Sequence, residues 1–287
     1  MRPTILVTGA NGQVGRELRV CAETNAQYDF VFLSKDDLSI DRPEQVEEVF
    51  QKWAPKYCIN CAAYTAVDKA ETEQALAFQI NGEATGVLAA ASRQAGARFI
   101  HISTDYVFNG NGTAPYQEDH AVDPVNIYGA SKLQGEQLAK QQNPDSVIIR
   151  TSWVYSRFGN NFVKTMMRLM KERESINVVD DQKGSPTYAA DLAAAMLKII
   201  ASEKWTPGIY NYSNEGVITW HQFAQAIAEL TRSSCKVNPI PSANFPTPAK
   251  RPGYSVLSKD KIREVYQITP PAWRTSLEAC IRLLQQS

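Results

Sequence analysis

The sequence has no excess of charge of either sign and no long apolar run. Its 287 residues include 30 basic and 30 acidic side chains, so the formal net charge is zero. This balance gives no support to nucleic-acid binding. No apolar stretch approaches the roughly 20 residues that span a bilayer. The N-terminus also lacks a basic segment followed by a long apolar run. We therefore expect a soluble, cytoplasmic protein with neither a nucleic acid nor a membrane as partner.

Cysteine and histidine are scarce, which argues against a metal centre. Five cysteines and three histidines are scattered along the chain. Cys58 and Cys61 match the spacing C-x-x-C, but they lie in an apolar segment, 57–63, that is typical of a buried strand. No second pair completes a metal site, and the histidines have no partners at ligand spacing. We expect reduced core thiols and no metal.

The apolar content is sufficient for a large core, since 44% of residues are hydrophobic and 21% are charged. The length fits one large α/β domain or a domain with a smaller partner. Short apolar runs alternate with helical patterns, which is typical of a Rossmann-type, doubly wound parallel sheet. We expect an N-terminal nucleotide-binding domain, residues 1–150 completed by parts of 176–212, and a smaller C-terminal substrate-binding domain, residues 151–287. The pattern predicts strands at 4–8, 28–33, 58–62, 98–102 and 146–150, and helices at 43–53, 66–95 (interrupted near 81–82), 128–138, 162–172, 187–200, 220–230 and 271–284.

A glycine-rich turn follows the first predicted strand directly. Gly9, Gly12 and Gly15 occupy positions 1, 4 and 7 of this turn, and a helical pattern continues after them. Such glycines let the backbone bend sharply and approach a pyrophosphate, which binds the amides of the helix N-terminus. The strand–turn–helix context favours dinucleotide binding over a plain tight turn.

The end of the second strand indicates which dinucleotide is bound. An acid about 20 residues past the glycines binds the 2′-hydroxyl of NAD, whereas basic or hydroxyl groups accept the 2′-phosphate of NADP. Ser34 lies 19 residues after Gly15, and Lys35 follows it. This favours NADP. The alternative is that Lys35 is a solvated loop cation and that Asp36 contacts the ribose.

Polar residues that suit acid–base chemistry follow the fourth strand. Ser103, Thr104 and Asp105 lie at its carboxyl end, where ligands bind in parallel α/β sheets. Tyr128 and Lys132 stand one turn apart on a predicted helix. A nearby ammonium favours phenolate and lowers the pKa of a tyrosine, so the pair is a candidate acid–base device. The alternative is a half-buried tyrosine beside a solvated lysine.

These motifs together resemble the extended short-chain dehydrogenase/reductase superfamily and, more closely, the dTDP-4-dehydrorhamnose reductase family. The resemblance covers essentially the whole chain. The chain departs from the pattern at Ser34, where some members of the family carry an acid. The segments that carry the resemblance are Thr8-Gly9-x-x-Gly12-x-x-Gly15, 61–71, 103–108, Tyr128-x-x-x-Lys132, 150–155, 159–162, 181–187 and 246–252.

The resemblance implies NADPH-dependent reduction (NADH possible) of a 4-keto sugar on thymidine diphosphate, the last step of dTDP-rhamnose biosynthesis, by a monomer or homodimer. Tyr128 would protonate the alkoxide, Lys132 would tune Tyr128 and bind the nicotinamide ribose, and Thr104 would polarise the ketone. It further implies that Thr104, Asp105, Trp153 and Arg251 contact the substrate. The implied cofactor-binding residues are Gly9, Gly12, Gln13, Val14, Gly15, Ser34, Lys35, Asp41, Ala63, Tyr64, Thr65, Ile102, Tyr128 and Lys132.

Several alternative interpretations are also consistent with the sequence. Trp153 can equally be domain-interface packing, and the proline-rich segment 239–252, which includes Lys250 and Arg251, can be a solvated connector instead of a diphosphate site. The chain can also be a non-catalytic binding subunit, although it retains Thr104, Tyr128 and Lys132. Another nucleotide-sugar ketoreductase or an epimerase is a further possibility. A dehydratase would need an acid–base pair directly after Thr104, where Asp105 and Tyr106 stand.

Overall fold

The structure is a computed structural model, and it describes residues 2–202 and 204–286. Six parallel strands form the central sheet in the order β10-β5-β4-β3-β1-β2. The strands are β1 (Thr4–Thr8), β2 (Asp29–Leu33), β3 (Tyr57–Asn60), β4 (Arg98–Thr104), β5 (Val147–Thr151), β6 (Val154–Tyr155), β7 (Ser175–Val179), β8 (Lys183–Gly184), β9 (Thr187–Tyr188), β10 (Gly208–Asn211), β11 (Ile218–Thr219) and β12 (Lys236–Ile240). The remaining strands pair as β11-β8, β12-β7 and β6-β9.

Helices cover both faces of the central sheet. They are α1 (Gln13–Ala22), α2 (Pro43–Trp53), α3 (Val67–Ala70), α4 (Gln74–Phe78), α5 (Ala84–Gln94), α6 (Ile127–Gln142), α7 (Phe162–Glu172), α8 (Ala189–Ala201), α9 (Trp220–Thr231), α10 (Asp260–Tyr266) and α11 (Trp273–Gln285). In β1, Ile5 and Val7 face the core beneath α1 and α8, whereas Leu6 faces the core beneath α2 and α5. Alternate side chains enter opposite helical layers because strand periodicity is two. The predicted doubly wound sheet is therefore confirmed.

A third core lies outside the sheet. Residues from α7, α9 and α11 pack with β7 and β12 around Phe223, and four aromatic rings surround Phe223. Strand β10 lies beyond residue 150 in sequence and still joins the central sheet beside β5. The division into residues 1–150 and 151–287 stays a prediction.

The long helix predicted over 66–95 is interrupted at residues 71–73, between α3 and α4, whereas residues 81–82 lie in a π-helical segment, Gln79–Glu83, of the continuous helix that follows. The amide of Asn81 donates from Nδ2 to Tyr64 O (3.0 Å) and to Ser131 Oγ (3.0 Å). A Cβ at Gly135 would lie 2.1 Å from the Asn81 carbonyl oxygen. The lack of a side chain at Gly135 therefore lets the π-helical segment approach the backbone of α6 closely.

Several predicted boundaries were wrong by one to four residues, and the largest error is at the helix predicted over 128–138, which continues to Gln142. The fourth strand continues to Thr104, since it pairs with β5 as far as Thr151. The third strand ends at Asn60, whose side chain accepts the Ala62 amide (3.1 Å). The predicted helix 187–200 begins at Ala189 because Thr187 and Tyr188 pair with β6.

Side chains occupy the outward edge of β10, the last strand of the sheet. The backbone N–H of Asn211 donates to Glu118 Oε1 (2.9 Å), and Lys261 Nζ donates to the backbone carbonyl of Ile209 (2.8 Å). These contacts satisfy backbone groups that an edge strand otherwise exposes. Within the described ranges, no helix is long and apolar enough to cross a bilayer.

Candidate active site

The glycine-rich turn joins β1 to α1 at the C-terminal edge of the sheet. Gly9 has a φ of 65°, and a Cβ there would lie 2.5 Å from the Ala62 amide nitrogen. A Cβ at Gly15 would lie 2.5 Å from the Gly9 carbonyl oxygen. Glycine is therefore required at both positions. No side chain among the described residues caps the N-terminus of α1 at Gly12, so the first amides of this helix suit an anion.

Gln13 and Val14, two of the residues predicted to contact the cofactor, begin α1. Gln13 Oε1 accepts a hydrogen bond from Asn161 Nδ2 (2.9 Å), and Gln13 Nε2 donates to the Val154 carbonyl (3.4 Å). Val14 is buried. The side chain of Gln13 thus connects the turn to the segment that follows β5.

The end of β2 carries an acid that the spacing argument missed. The Asp37 carboxylate accepts from the Ser34 amide (2.9 Å) and from Ser34 Oγ (2.7 Å). These hydrogen bonds lower the pKa of Asp37. Lys35 and Asp36 are both exposed. A negative charge therefore lies against Ser34, and Asp37 supplies it.

The remaining predicted cofactor residues lie around the same edge. Asp41 accepts from Ser39 Oγ (2.6 Å) and from Gln79 Nε2 (2.8 Å) of the π-helical segment. The backbone N–H and carbonyl of Tyr64 form hydrogen bonds with the Asn81 side chain. The Tyr64 hydroxyl donates to Glu73 Oε2 (2.7 Å). Ala63 is half-buried and Thr65 is exposed.

Tyr128 lies in the first turn of α6, next to the end of β4. Asn126 caps this helix by accepting from the Gly129 amide (2.8 Å). Burial raises the pKa of Tyr128 to about 12, the Asp105 charge acts in the same direction, and the Thr104 hydroxyl opposes both. The net direction is therefore a rise, and the expected lowering of the Tyr128 pKa by Lys132 stays a prediction. Tyr128 is therefore protonated at neutral pH.

Lys132 lies one turn further along α6, and it is buried instead of solvated. Its side chain is 2% exposed, and Nζ donates to the Ile102 carbonyl (2.6 Å) and contacts His101 Nε2 (3.2 Å). Burial lowers the pKa of Lys132 to about 8, although Glu136 and Cys61 favour its charge. The alternative of a solvated lysine was therefore wrong.

Asp105 is a buried carboxyl group beside Tyr128. Its side chain is 2% exposed, and Oδ1 accepts from Thr104 Oγ1 (3.0 Å). Oδ2 has no hydrogen-bond partner within the part of the chain that the structure describes. Burial raises the pKa of Asp105 to about 7, although the nearby hydroxyls of Ser255 and Thr104 oppose this shift. Asp105 can thus accept or donate a proton near neutrality.

Trp153 and Arg251, the other two predicted substrate residues, are held by neighbouring side chains. Trp153 has a φ of 48°, and its indole stacks on Trp220 at 3.6 Å between ring centroids. Arg251 forms a bidentate ion pair with Asp68, with Nη1–Oδ1 at 2.5 Å and Nη2–Oδ2 at 2.9 Å. Lys250 is exposed. One face of the Trp153 indole is therefore packed against Trp220, and the positive charge of Arg251 is already neutralised by Asp68.

Three further residues contact the predicted site and were not identified from the sequence. His101 contacts Lys132, Asn60 contacts His101, and Asn81 binds the backbone of Tyr64. The sequence contained one usable indication, since His101 interrupts an otherwise apolar strand, and a buried polar side chain requires a partner.

A parallel sheet with helices on both faces and a glycine turn at an uncapped helix define a Rossmann-type protein, and Thr104, Tyr128 and Lys132 lie at the C-terminal edge of its sheet. Residues 1–286 match the model described as "RmlD substrate binding domain", and the chain belongs to this family. It is 42% identical to the dTDP-4-dehydrorhamnose reductase of Burkholderia thailandensis, over 98% of this chain and 99% of the relative.

Solved structures give the same result. A dTDP-4-dehydrorhamnose reductase ortholog from Clostridium acetobutylicum superposes with a TM-score of 0.94 at 41% identity, over 98% of this chain and 99% of that one. The dTDP-4-dehydrorhamnose reductase of Bacillus anthracis, solved in complex with NADP, superposes with a TM-score of 0.95 at 42% identity, over 99% and 100% of the two chains.

Proposed function

We propose that this protein is an oxidoreductase that uses NADPH to reduce the 4-keto group of dTDP-4-dehydro-β-L-rhamnose, giving dTDP-L-rhamnose. Similarity to reductases over nearly the full chain supports the reaction, and the NADP complex of the Bacillus anthracis relative supports the cofactor. The observation that carries the proposal is that Thr104, a protonated Tyr128 and Lys132 lie at the same C-terminal edge of the sheet as the glycine turn, two strands away from it.

The residues at the glycine turn fit a bound dinucleotide. The uncapped N-terminus of α1 suits the pyrophosphate, and a Cβ at Gly12 would be 3.2 Å from the Gly9 carbonyl, so glycine leaves space there. When bound, NADPH supplies the hydride. At Ser34 the fit to a 2′-phosphate is opposed by the Asp37 carboxylate, and Lys35 is the nearest cation in sequence.

The proton in this proposal comes from Tyr128. Because the pKa of Tyr128 is raised, the phenol retains its proton until negative charge develops on the ketone oxygen. Thr104 Oγ1 now donates to Asp105, and it can donate to the ketone oxygen instead. A positive charge on Lys132 would stabilise the phenolate left behind.

The proposed substrate site is formed by Thr104, Asp105, Trp153 and Arg251. The unpartnered Oδ2 of Asp105 can accept a sugar hydroxyl, and the indole of Trp153 offers an apolar face for a 6-deoxy sugar. Because Arg251 is paired with Asp68, exposed Lys250 is the better cation for the diphosphate. We place this site between the proposed domains, residues 1–150 and 151–287. We also propose a cytoplasmic monomer or homodimer that binds no nucleic acid.

The test offers purified protein NADPH and a panel of 4-keto sugar nucleotides, with absorbance loss as the readout. We expect turnover with the thymidine-linked rhamnose precursor. Tyr128→Phe should bind NADPH normally and reduce the ketone roughly 10²–10⁴-fold more slowly, the usual cost of losing a general acid. Tyr155→Phe is the matched control, because the buried hydroxyl of Tyr155 has no partner among the described residues.

Three outcomes would change the proposal. Near-normal turnover by Tyr128→Phe would reject its role as the acid. Turnover only with a differently configured sugar would retain the reductase class and reject the substrate. Absence of NADPH consumption with every sugar would favour the alternative of a non-catalytic binding subunit.

A further inference from the structure

A row of four buried polar side chains crosses the sheet and ends at the predicted catalytic lysine. Thr8, Asn60 and His101 are register partners on β1, β3 and β4. Lys132 of α6 completes the row, and all four side chains are at most 2% exposed. The row connects the glycine turn to the amine of Lys132 through consecutive contacts of 2.7, 3.1 and 3.2 Å.

The direction of the first contacts is fixed by a backbone amide. Asn60 Oδ1 accepts from the Ala62 amide (3.1 Å) and from Thr8 Oγ1 (2.7 Å). Turning the Asn60 amide over would place its NH₂ group against the Ala62 N–H. Asn60 Nδ2 therefore faces His101 Nδ1 at 3.1 Å. An amide nitrogen is only a donor, so His101 Nδ1 must accept.

The position of the proton on His101 then determines which charge state of Lys132 can form a hydrogen bond with it. Burial and the nearby Lys132 hold the pKa of His101 well below its usual range, so the ring is neutral and carries one proton. Because Nδ1 accepts, this proton lies on Nε2, which is 3.2 Å from Lys132 Nζ. An ammonium has three donors and no acceptor, whereas a neutral amine has a lone pair. The contact is a hydrogen bond only when Lys132 is neutral.

We propose that His101 is a positioning residue that makes Lys132 a titrating base by donating its Nε2–H to the amine. Lys132 is then not a permanent cation, because its charged form must break this hydrogen bond or move the His101 proton to Nδ1, against Asn60. Its significance for catalysis rests on the proposed reduction. The proposal itself concerns only where two protons lie in the protein.

Other groups around Lys132 act in both directions. Glu136 on α6 and Cys61 after β3 favour the ammonium, and the Ile102 carbonyl accepts a hydrogen bond from it. Glu136 is itself neutralised by Arg150, with Nη2–Oε2 at 2.7 Å. Burial and the His101 N–H oppose the charge. The net direction is a lowered pKa, about 8 for Lys132.

The direct test is nuclear magnetic resonance of the cofactor-free protein. The chain has three histidines, so nitrogen-15 labelling of histidine gives a simple spectrum, and His101→Gln assigns the signal. Above the Lys132 pKa, we expect His101 to carry its proton on Nε2. A proton on Nδ1 at that pH would overturn the proposal.

A second readout follows Lys132 itself. With carbon-13 at the lysine ε position and Lys132→Met for assignment, we expect Lys132 to titrate well below the usual value of about 10.4. The ring nitrogens of His101 should shift with the same midpoint, because one proton governs both. An ordinary midpoint for Lys132, or a His101 spectrum that does not change across it, would contradict the proposal.

Asn60→Asp should reverse the arrangement. A carboxylate at position 60 accepts from the Ala62 amide and also from His101 Nδ1–H, which leaves Nε2 free to accept from an ammonium. We expect the Lys132 midpoint to rise by about one unit or more. Thr8→Val is the matched control, because it removes a hydrogen bond from the row while the Ala62 amide still orients Asn60. An unchanged midpoint in a folded Asn60→Asp protein would reject the mechanism.

The pH profile of ketone reduction separates a functional role from a structural one. Since ammonium stabilises the phenolate of Tyr128, the rate should fall as pH rises through the Lys132 pKa, and Asn60→Asp should move this decline to higher pH. A decline at the same pH in both proteins would reject the role of His101 in catalysis. The resonance measurements need no substrate, so an incorrect substrate assignment leaves them unaffected.

Discussion

Helix α6 carries two buried ionisable side chains one turn apart, Lys132 and Glu136, and their charges are compensated to different degrees. Glu136 is fully matched, since it accepts from Arg150 Nε (2.9 Å), from Arg150 Nη2 (2.7 Å) and from Ser103 Oγ (2.5 Å). Lys132 has one carbonyl acceptor and a contact with His101, whose N–H opposes the lysine charge in the proposed tautomer. The charge of Glu136 is therefore fully compensated, whereas Lys132, in its proposed catalytic role, retains a proton that it can lose.

The largest expected effect comes from breaking the matched pair. Glu136→Gln leaves the Arg150 guanidinium buried without its counter-charge, and we expect the free energy of unfolding to fall by about 3–5 kcal/mol. Urea denaturation measures this loss. The control is Glu172→Gln, which breaks the exposed pair with Arg168 and should cost less than about 1 kcal/mol. Similar losses for both variants would show that burial does not distinguish these pairs.

Asp105→Asn should do the reverse and stabilise the protein. The folded pKa of Asp105 is raised from 3.8 to about 7, so the folded protein retains a proton that the unfolded chain has lost between these values. Stability therefore decreases as pH rises from about 4 to about 7, and the full cost is present above pH 7. We expect the variant to gain up to about 4 kcal/mol at pH 8 and little at pH 4.

Thermal or urea unfolding of both proteins across this pH range is the measurement. A gain from Asp105→Asn that is equally large at pH 4 would show that the ionisation of Asp105 is not its cause. The same variant should reduce ketone more slowly, because the proposed acceptor for a sugar hydroxyl has become an amide.

A somewhat smaller gain is expected from Lys132→Met. The folded pKa of Lys132 is lowered from 10.5 to about 8, so the unfolded chain binds more protons between these values and the stability of the unmodified protein rises with pH there. The cost of charging Lys132 is complete below about pH 8. The variant should therefore be more stable at pH 7 by up to about 3 kcal/mol, and this advantage should disappear as pH approaches 10.5.

Calorimetric melting of the two proteins at matched pH values tests this expectation, with activity followed in parallel. An inactive and stabilised Lys132→Met would support the contrast between the two charges of α6. A variant that is less stable than the unmodified protein at neutral pH would place Lys132 with Glu136, among the matched charges.

The smallest effect concerns cofactor choice. Asp37→Asn removes the negative charge that lies against Ser34, so NADPH affinity should rise several-fold relative to NADH, because a 2′-phosphate is no longer repelled. Asp36→Asn is the matched control, since its carboxylate is exposed and does not bond Ser34. Equal changes in both variants, measured as cofactor dissociation constants, would argue that only net charge matters.

The sequence predicted most of the sheet because parallel strands buried on both faces are short continuous apolar runs. It also identified Thr104, Tyr128 and Lys132, which the structure brings to one edge of the sheet. It missed the environment of Lys132, since His101 lies 31 positions away in sequence and its ring orientation depends on Asn60. Asp37 was missed for a similar reason, because a loop turns its carboxylate back onto Ser34.

The occupied edge of β10 has a consequence for how copies of this protein can meet. Glu118 and Lys261 already bond the outward amide of Asn211 and the outward carbonyl of Ile209. A second chain would have to displace both side chains before it could add a strand here, at the cost of two charge-assisted hydrogen bonds. Continuation of the sheet from one molecule into the next is therefore disfavoured at this end, and crowded molecules would have to associate through other surfaces.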